Sequence, residues 1–124
     1  MTVEITNFPF ATPVKAQGLS SFEVSIGTDE VYVSDLPGIS GFLFISTSSI
    51  TNYGGQAWIR GSYCIKMAGA ATFATLAGSV LTGTTGEVGN FSISCNAGKL
   101  YIENRIETAQ SFVVTLLTND ATNT

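Results

Sequence analysis

A single all-β domain, an antiparallel β-sandwich or jelly-roll-like module with an extended amino-terminal arm, is the fold that the sequence predicts. Three observations lead there. Apolar and polar residues alternate with period two along much of the chain. Turn residues punctuate it every ~8–12 positions. No window carries a convincing helical stripe. At 124 residues the chain is the size of one domain. It divides into an arm (1–18), a sandwich domain (19–118) and a polar tail (119–124).

The arm opens on Val3 and Ile5 and runs through Phe8-Pro9-Phe10 to Pro13 and Val14. Prolines at this spacing cannot sit inside a central strand, so the segment is an extended arm or an edge. Its apolar residues (Val3, Ile5, Phe8, Pro9, Phe10 and Val14) call for a partner surface, and in an assembly they would form a clasp. Phe22, Val24 and Ile26 alternate with Glu23 and Ser25 as a half-buried strand. Gly27-Thr28-Asp29 and Val31-Tyr32-Val33 then read as the turn and return of a hairpin. Asp35-Leu36-Pro37-Gly38 is a second turn. Phe42 to Ile45 is apolar on both faces, and Ser46–Gly55 is a polar loop.

From Gln56 to Met67 the alternation reads as one long strand. Ala57, Ile59, Tyr63, Ile65 and Met67 form its core face, while Trp58, Arg60, Cys64 and Lys66 point outward. Thr72–Leu81 reads as a soft hairpin around Ala77-Gly78, and Thr82–Gly89 as a glycine-rich loop. Phe91, Ile93 and Cys95 point inward. Asn96-Ala97-Gly98 is a hairpin turn. Leu100, Ile102 and Ile106 face in, against Lys99, Tyr101, Glu103 and Arg105 facing out. The strand Phe112–Leu117 is apolar on both faces. With Cys64 out and Cys95 in, the two thiols are expected to be free.

Composition narrows the function. Charged residues make up 11% of the chain against a typical ~25%, while hydrophobic residues reach 44%. A small monomer needs charge to stay dispersed, so the shortage points to a surface covered by other copies of the chain. Strands apolar on both faces point the same way. A net charge of −4 with five scattered cationic residues leaves no stripe for nucleic acid or anionic membrane. The opening residues show no secretory pattern, and Met67–Val80 is too short and too interrupted to span a bilayer.

Catalytic patterns are missing from the sequence. The chain has no histidine, which removes the commonest general base and metal ligand. No serine sits in a nucleophile elbow. Asp29-Glu30 reads as solvated turn punctuation, and with Asp35 it lacks the spacing of a calcium loop. Gly83-Thr84-Thr85-Gly86 has no following Gly-Lys-Ser/Thr and reads as a turn, not a phosphate cradle. Neither a cofactor nor catalysis is expected. Glu103 and Arg105 pair with each other or with cross-strand neighbours. Trp58 and Tyr101 are outward aromatics suited to anchoring an interface. The expected subunit interface is Phe42, Phe44, Trp58, Arg60, Tyr101, Glu103, Arg105 and Val113.

Leu81-Thr82-Gly83-Thr84-Thr85-Gly86, Phe91-Ser92-Ile93-Ser94 and Gly98-Lys99-Leu100-Tyr101-Ile102-Glu103-Asn104-Arg105 together resemble small β-modules of bacteriophage tail fibres and other virion proteins. The resemblance covers residues 55–118. It implies a non-catalytic virion building block that works as a homotrimer. Taken as a complete chain starting at Met1, a short arm and one compact domain look more like a capsid decoration (cement) protein bound to the major capsid protein. The alternative is a tail-fibre module that recognises a host glycan through Trp58, Tyr53 and the loops Ser46–Gly55 and Thr82–Gly89.

Overall fold

In the computed structural model, which describes residues 19–36, 40–48 and 53–118, nine strands form two sheets and no helix occurs among the described residues. The strands are β1 (Leu19–Ile26), β2 (Glu30–Asp35), β3 (Ser40–Thr47), β4 (Gly54–Arg60), β5 (Tyr63–Gly69), β6 (Phe73–Thr75), β7 (Phe91–Asn96), β8 (Lys99–Asn104) and β9 (Gln110–Thr118). One sheet has the order β1-β9-β3-β4-β5 and the other β2-β8-β7-β6. All pairings are antiparallel except the short β6–β7 contact. The fold is a β-sandwich, as the alternation predicts.

Alternating side chains from both sheets meet between them. The five-stranded sheet contributes Ile26, Leu43, Ile45, Ala57, Ile59, Phe112, Val114 and Leu116. The four-stranded sheet contributes Phe73, Phe91, Ile93, Cys95, Leu100 and Ile102. Phe91 is the hub, with ring centroids 5.3 Å from Phe73 and 5.4 Å from Phe112. Each such ring, fully removed from water, contributes about 1.5–3 kcal/mol.

Three sequence expectations change here. Gln56–Met67 is two strands, because Gly61-Ser62 is a two-residue turn that brings Arg60 opposite Tyr63. Gly61 takes φ +60°, as the first central residue of a primed hairpin turn requires. Residues facing each other across such a turn share a sheet face, so parity reverses at the turn. Cys64 therefore points inward, and Tyr63, Ile65 and Met67 point outward. Lys66 also turns inward, its Nζ donating to the carbonyls of Ala70 (2.8 Å) and Phe73 (3.0 Å).

The second change concerns β1 and β2, which do not pair with each other. β1 lies against β9 and β2 against β8, so Gly27–Asp29 is a corner from one sheet to the other. Buried Asn104 holds that corner. Its Nδ2 donates to the carbonyls of Ile26 (2.9 Å) and Thr108 (3.1 Å), and its Oδ1 accepts from the Ile106 amide (2.8 Å). The third change is at Thr72–Leu81. After β6 the chain keeps alongside β7, with Leu76 N donating to Ile93 O and Gly78 N to Cys95 O, and does not fold back as a hairpin. The Ala97-Gly98 turn between β7 and β8 stands as expected, with both residues at positive φ. The arm (1–18), the tail (119–124) and the Pro37-Gly38 turn lie outside the described residues.

Candidate interaction surface

The outer faces of the two sheets are treated in opposite ways. On the four-stranded sheet the chain's own loop 76–90 roofs part of the outer face, over Ser92, Ser94 and Glu103, while Lys99, Tyr101 and Val33 of β2 stay outside it. Ser92, Ser94 and Glu103 are all buried. Ser94 Oγ donates to Ser79 O at 2.6 Å and accepts from Ser79 N at 3.0 Å. The Glu103 carboxylate accepts three backbone amides, from Gly83 (2.8 Å) and Thr85 (2.9 Å) on Oε2 and from Gly86 (2.7 Å) on Oε1. Three amides converging on one carboxylate supply the charge-assisted bonds that a buried anion needs. At position 86 a Cβ would come within 2.8 Å of both Glu103 Oε1 and Ser92 Oγ, so a larger residue there would push on the buried carboxylate.

Glu103 was expected at the subunit interface, paired with Arg105. It is instead fully enclosed by its own loop and unavailable to a partner. Arg105 turns the other way, its Nε donating to Asp29 Oδ1 at 3.0 Å and its Nη1 to Gly86 O at 2.9 Å. It fastens the far side of the same loop to the β1–β2 corner. Tyr101 stays half-exposed on this sheet. One carboxylate and one guanidinium thus tie down the glycine-rich part of the loop, whose ends are held by Ser94 and by backbone bonds to Ile93, Cys95 and Arg105. No local sequence pattern signals it, because the partners are some twenty residues apart.

The five-stranded sheet is the reverse. About half of its outward residues are apolar, and they gather into one stripe that the described residues leave largely uncovered. Cross-strand register places Leu19 opposite Leu117, Leu117 opposite Phe42, Phe42 opposite Trp58, and Trp58 opposite Ile65. One apolar residue from each strand forms a row from edge to edge. Phe42 is 40% exposed, Leu117 50%, Ile65 51% and Leu19 53%. Beside this row Phe44 and Met67 add further apolar surface, and Arg60 lies opposite Tyr63 at one end. Beyond Phe44 the relief drops into a hollow of about 390 Å³, bordered by Phe44, Ser46, Gly54, Ala68, Val113 and Thr115. A register shift between Gln56 and Ala57 and the side-chain-free Gly54 lie at this depression.

Of the residues expected at an interface, Phe42, Phe44, Trp58, Arg60 and Val113 share this face. Tyr101, Glu103 and Arg105 belong to the other sheet. Ile65, Met67, Leu19 and Leu117 join the face without having been anticipated. The signal that would have found Ile65 and Met67 is the Gly61-Ser62 turn. The clasp residues Val3, Ile5, Phe8, Pro9, Phe10 and Val14 lie outside the described residues.

Cys64 and Cys95 are both free and buried, facing each other between the sheets. Cys64 Sγ also lies 3.6 Å from Ile93 O. The neighbouring Cys64 thiol, with burial, pushes the Cys95 thiol well above its ordinary range, so Cys95 stays protonated at neutral pH. At the surface, Lys99 Nζ meets Asp35 Oδ1 at 2.6 Å and holds that carboxyl below its usual value. Among the described residues no group of three or more His, Cys, Asp or Glu side chains is placed to hold a metal ion. Comparison with protein-family models, curated proteins and solved structures returns no match.

Proposed function

We propose that this chain is a non-enzymatic structural protein that works by self-association, as a capsid decoration protein bracing the shell of a phage-type virion. The observation that carries the reading is the contrast between the outer faces. The chain spends a whole loop covering serines and a glutamate on one sheet, and on the other leaves Leu19, Leu117, Phe42 and Ile65 exposed with half-buried Trp58 between them. Burying apolar surface is the main driving force of association, and an apolar face edged by polar residues marks a protein contact. Trp58 stands between Phe42 and Ile65 in that row, a setting that favours a packed protein partner over a sugar needing hydrogen-bonding groups around it. Low charge and the resemblance of residues 55–118 to virion β-modules support the location, and the major capsid protein is the second partner.

Quantitative mass spectrometry of purified particles from a phage carrying this reading frame tests the proposal. Hundreds of copies per particle, measured against the major capsid protein, are expected. A handful would move the chain to the tail, and none would end the virion reading.

A further inference from the structure

The outer face of the five-stranded sheet carries two complementary features side by side, and their spacing relates them by symmetry. The apolar row Leu19–Leu117–Phe42–Trp58–Ile65 lies two residues to one side of the row Ser21–Thr115–Phe44–Gln56. Two residues to the other side lies the row Glu23–Val113–Ser46–Gly54, which borders the hollow. The hollow begins at the line through Phe44 and Gln56, which border it, and extends to the Ser46–Gly54 row, so Phe42 and Trp58 stand two residues on one side of that line and Ser46 and Gly54 two residues on the other.

We propose that two copies of this chain pack these faces together about a two-fold axis running across the strands through Phe44 and Gln56. The operation reverses the strands and exchanges the two sides of that line. Trp58 of one copy then stands over Gly54 of the other, and Phe42 over Ser46, twice by symmetry. Such a contact is isologous, with each side supplying both knob and hole. Among the described residues the two charges on the face do not meet their own kind: Glu23, on the β1 edge, comes under Leu19 of the other copy at the rim, where water still reaches it, and Arg60 lies at the opposite end of β4.

Dimensions agree with this. Five strands spaced ~4.8 Å and about eight residues long present roughly 600 Å² in projection. Two such faces bury about 1,200 Å² in total, the lower end of specific interfaces. Side-chain relief raises the true figure. Face-to-face packing at ~10 Å, with strands within about 30°, is ordinary sandwich geometry.

The edge at β5 argues against the competing mode, strand addition. Lys66 points inward from that strand and a bulge interrupts its pairing with β4, two devices that discourage edge-to-edge pairing. At the β5 edge, these devices favour face packing over strand addition. The inference rests on the self-associating reading above, yet it names a pair where the resemblance to virion modules implies a trimer.

The test is sedimentation velocity and native mass spectrometry of the full chain, with Trp58, its single tryptophan, as an internal reporter. The unsubstituted chain is expected to be a dimer whose tryptophan emission shifts to the red as dilution splits it. Trp58→Ala, which removes the central knob, should weaken the dimer roughly 30-fold or more. Gln56→Glu places two carboxylates against each other at the axis, and should weaken it about tenfold at neutral pH and less in acid. Val33→Ala, on the other sheet, should leave it unchanged. A monomer at all concentrations would overturn the pair, including one whose own residues 1–18 keep Trp58 covered. So would a trimer, or a dimer indifferent to Gln56→Glu. A monomer in solution that is abundant on particles would sink the pair alone, whereas a dimer absent from particles would sink only the virion reading.

Discussion

The carboxylate of Glu103 accepts the backbone amide of Gly83 at 2.8 Å, from a strand whose outer face would otherwise be bare. With the amides of Thr85 and Gly86 on the same carboxylate, this side chain holds the middle of the loop that roofs part of the four-stranded sheet. Glu103→Gln keeps the shape but turns one acceptor into a donor facing amides. A hydrogen bond to a charged group contributes about 1.5–3 kcal/mol, and three are disturbed together. The expected loss is about 2–4 kcal/mol. Urea unfolding measures it, and proteolysis in 82–89 should speed up before global unfolding. A change under ~0.5 kcal/mol, the range of ordinary surface substitutions, would show that the loop is held by other contacts.

Cys64 and Cys95 give a labelling prediction. Both thiols are free and buried, and that of Cys95 is held protonated. The thiolate is the reactive form, so Cys95 should resist iodoacetamide in the native protein at neutral pH, while Cys64, whose pKa the Cys95 hydrogen bond lowers, should resist it through burial alone. After denaturation without reductant both should react. A count of zero under denaturing conditions would mean a disulfide.

Lys99 and Asp35 are an exposed pair whose effect is on titration more than on stability. Lys99 lowers the Asp35 pKa by hydrogen bonding and charge. A carboxyl depressed in the folded state contributes stability above its unfolded value. That contribution fades as pH falls through the folded value. The window for this pair is thus acidic, at and below the ordinary aspartate range. In Lys99→Ala, the Asp35 carboxyl followed by NMR should titrate closer to 3.8, the ordinary value. Stability at neutral pH should hardly change, since exposed pairs are screened. An Asp35 titration identical in both proteins would show that the contact is not populated in solution.

The sandwich and most of its core were legible because period-two alternation reports burial directly: Phe91, Ile93, Cys95, Leu100 and Ile102 were placed correctly from it. Partner choice was not legible. Phe22–Ile26 and Val31–Val33 alternate well enough for a hairpin, yet each pairs with a strand distant in sequence. Alternation says which face is buried and nothing of which edge is adjacent. The Gly61-Ser62 turn failed for a different reason. A two-residue turn exchanges odd and even positions, and strict alternation through it imitated one continuous strand. The exposed apolar face was half visible for that reason, with Phe42, Phe44 and Trp58 anticipated and Ile65 and Met67 assigned to the core. Glu103 was misplaced because an outward position on a strand is exposed only if no loop returns over it.

Gly55 supplies a prediction that joins the core to the hollow outside it. Its backbone is not in the left-handed region, so an alanine is conformationally acceptable. The obstacle is space, because a Cβ there would run into the ring of Phe73. Phe73 is 2% exposed and packed against Phe91, so its ring has nowhere to retreat. Overpacking of this kind costs about 1–3 kcal/mol. Phe73→Leu alone should also destabilise, by leaving part of the ring's volume empty. Combining the two should cost less than their sum, since the shorter side chain makes room for the methyl group. A double-mutant cycle by urea unfolding should therefore give a coupling of about 0.5–3 kcal/mol in the compensating direction. Strict additivity would mean that β4 moves outward to accept the methyl group. That movement would fill the hollow and, in the same samples, weaken the dimer.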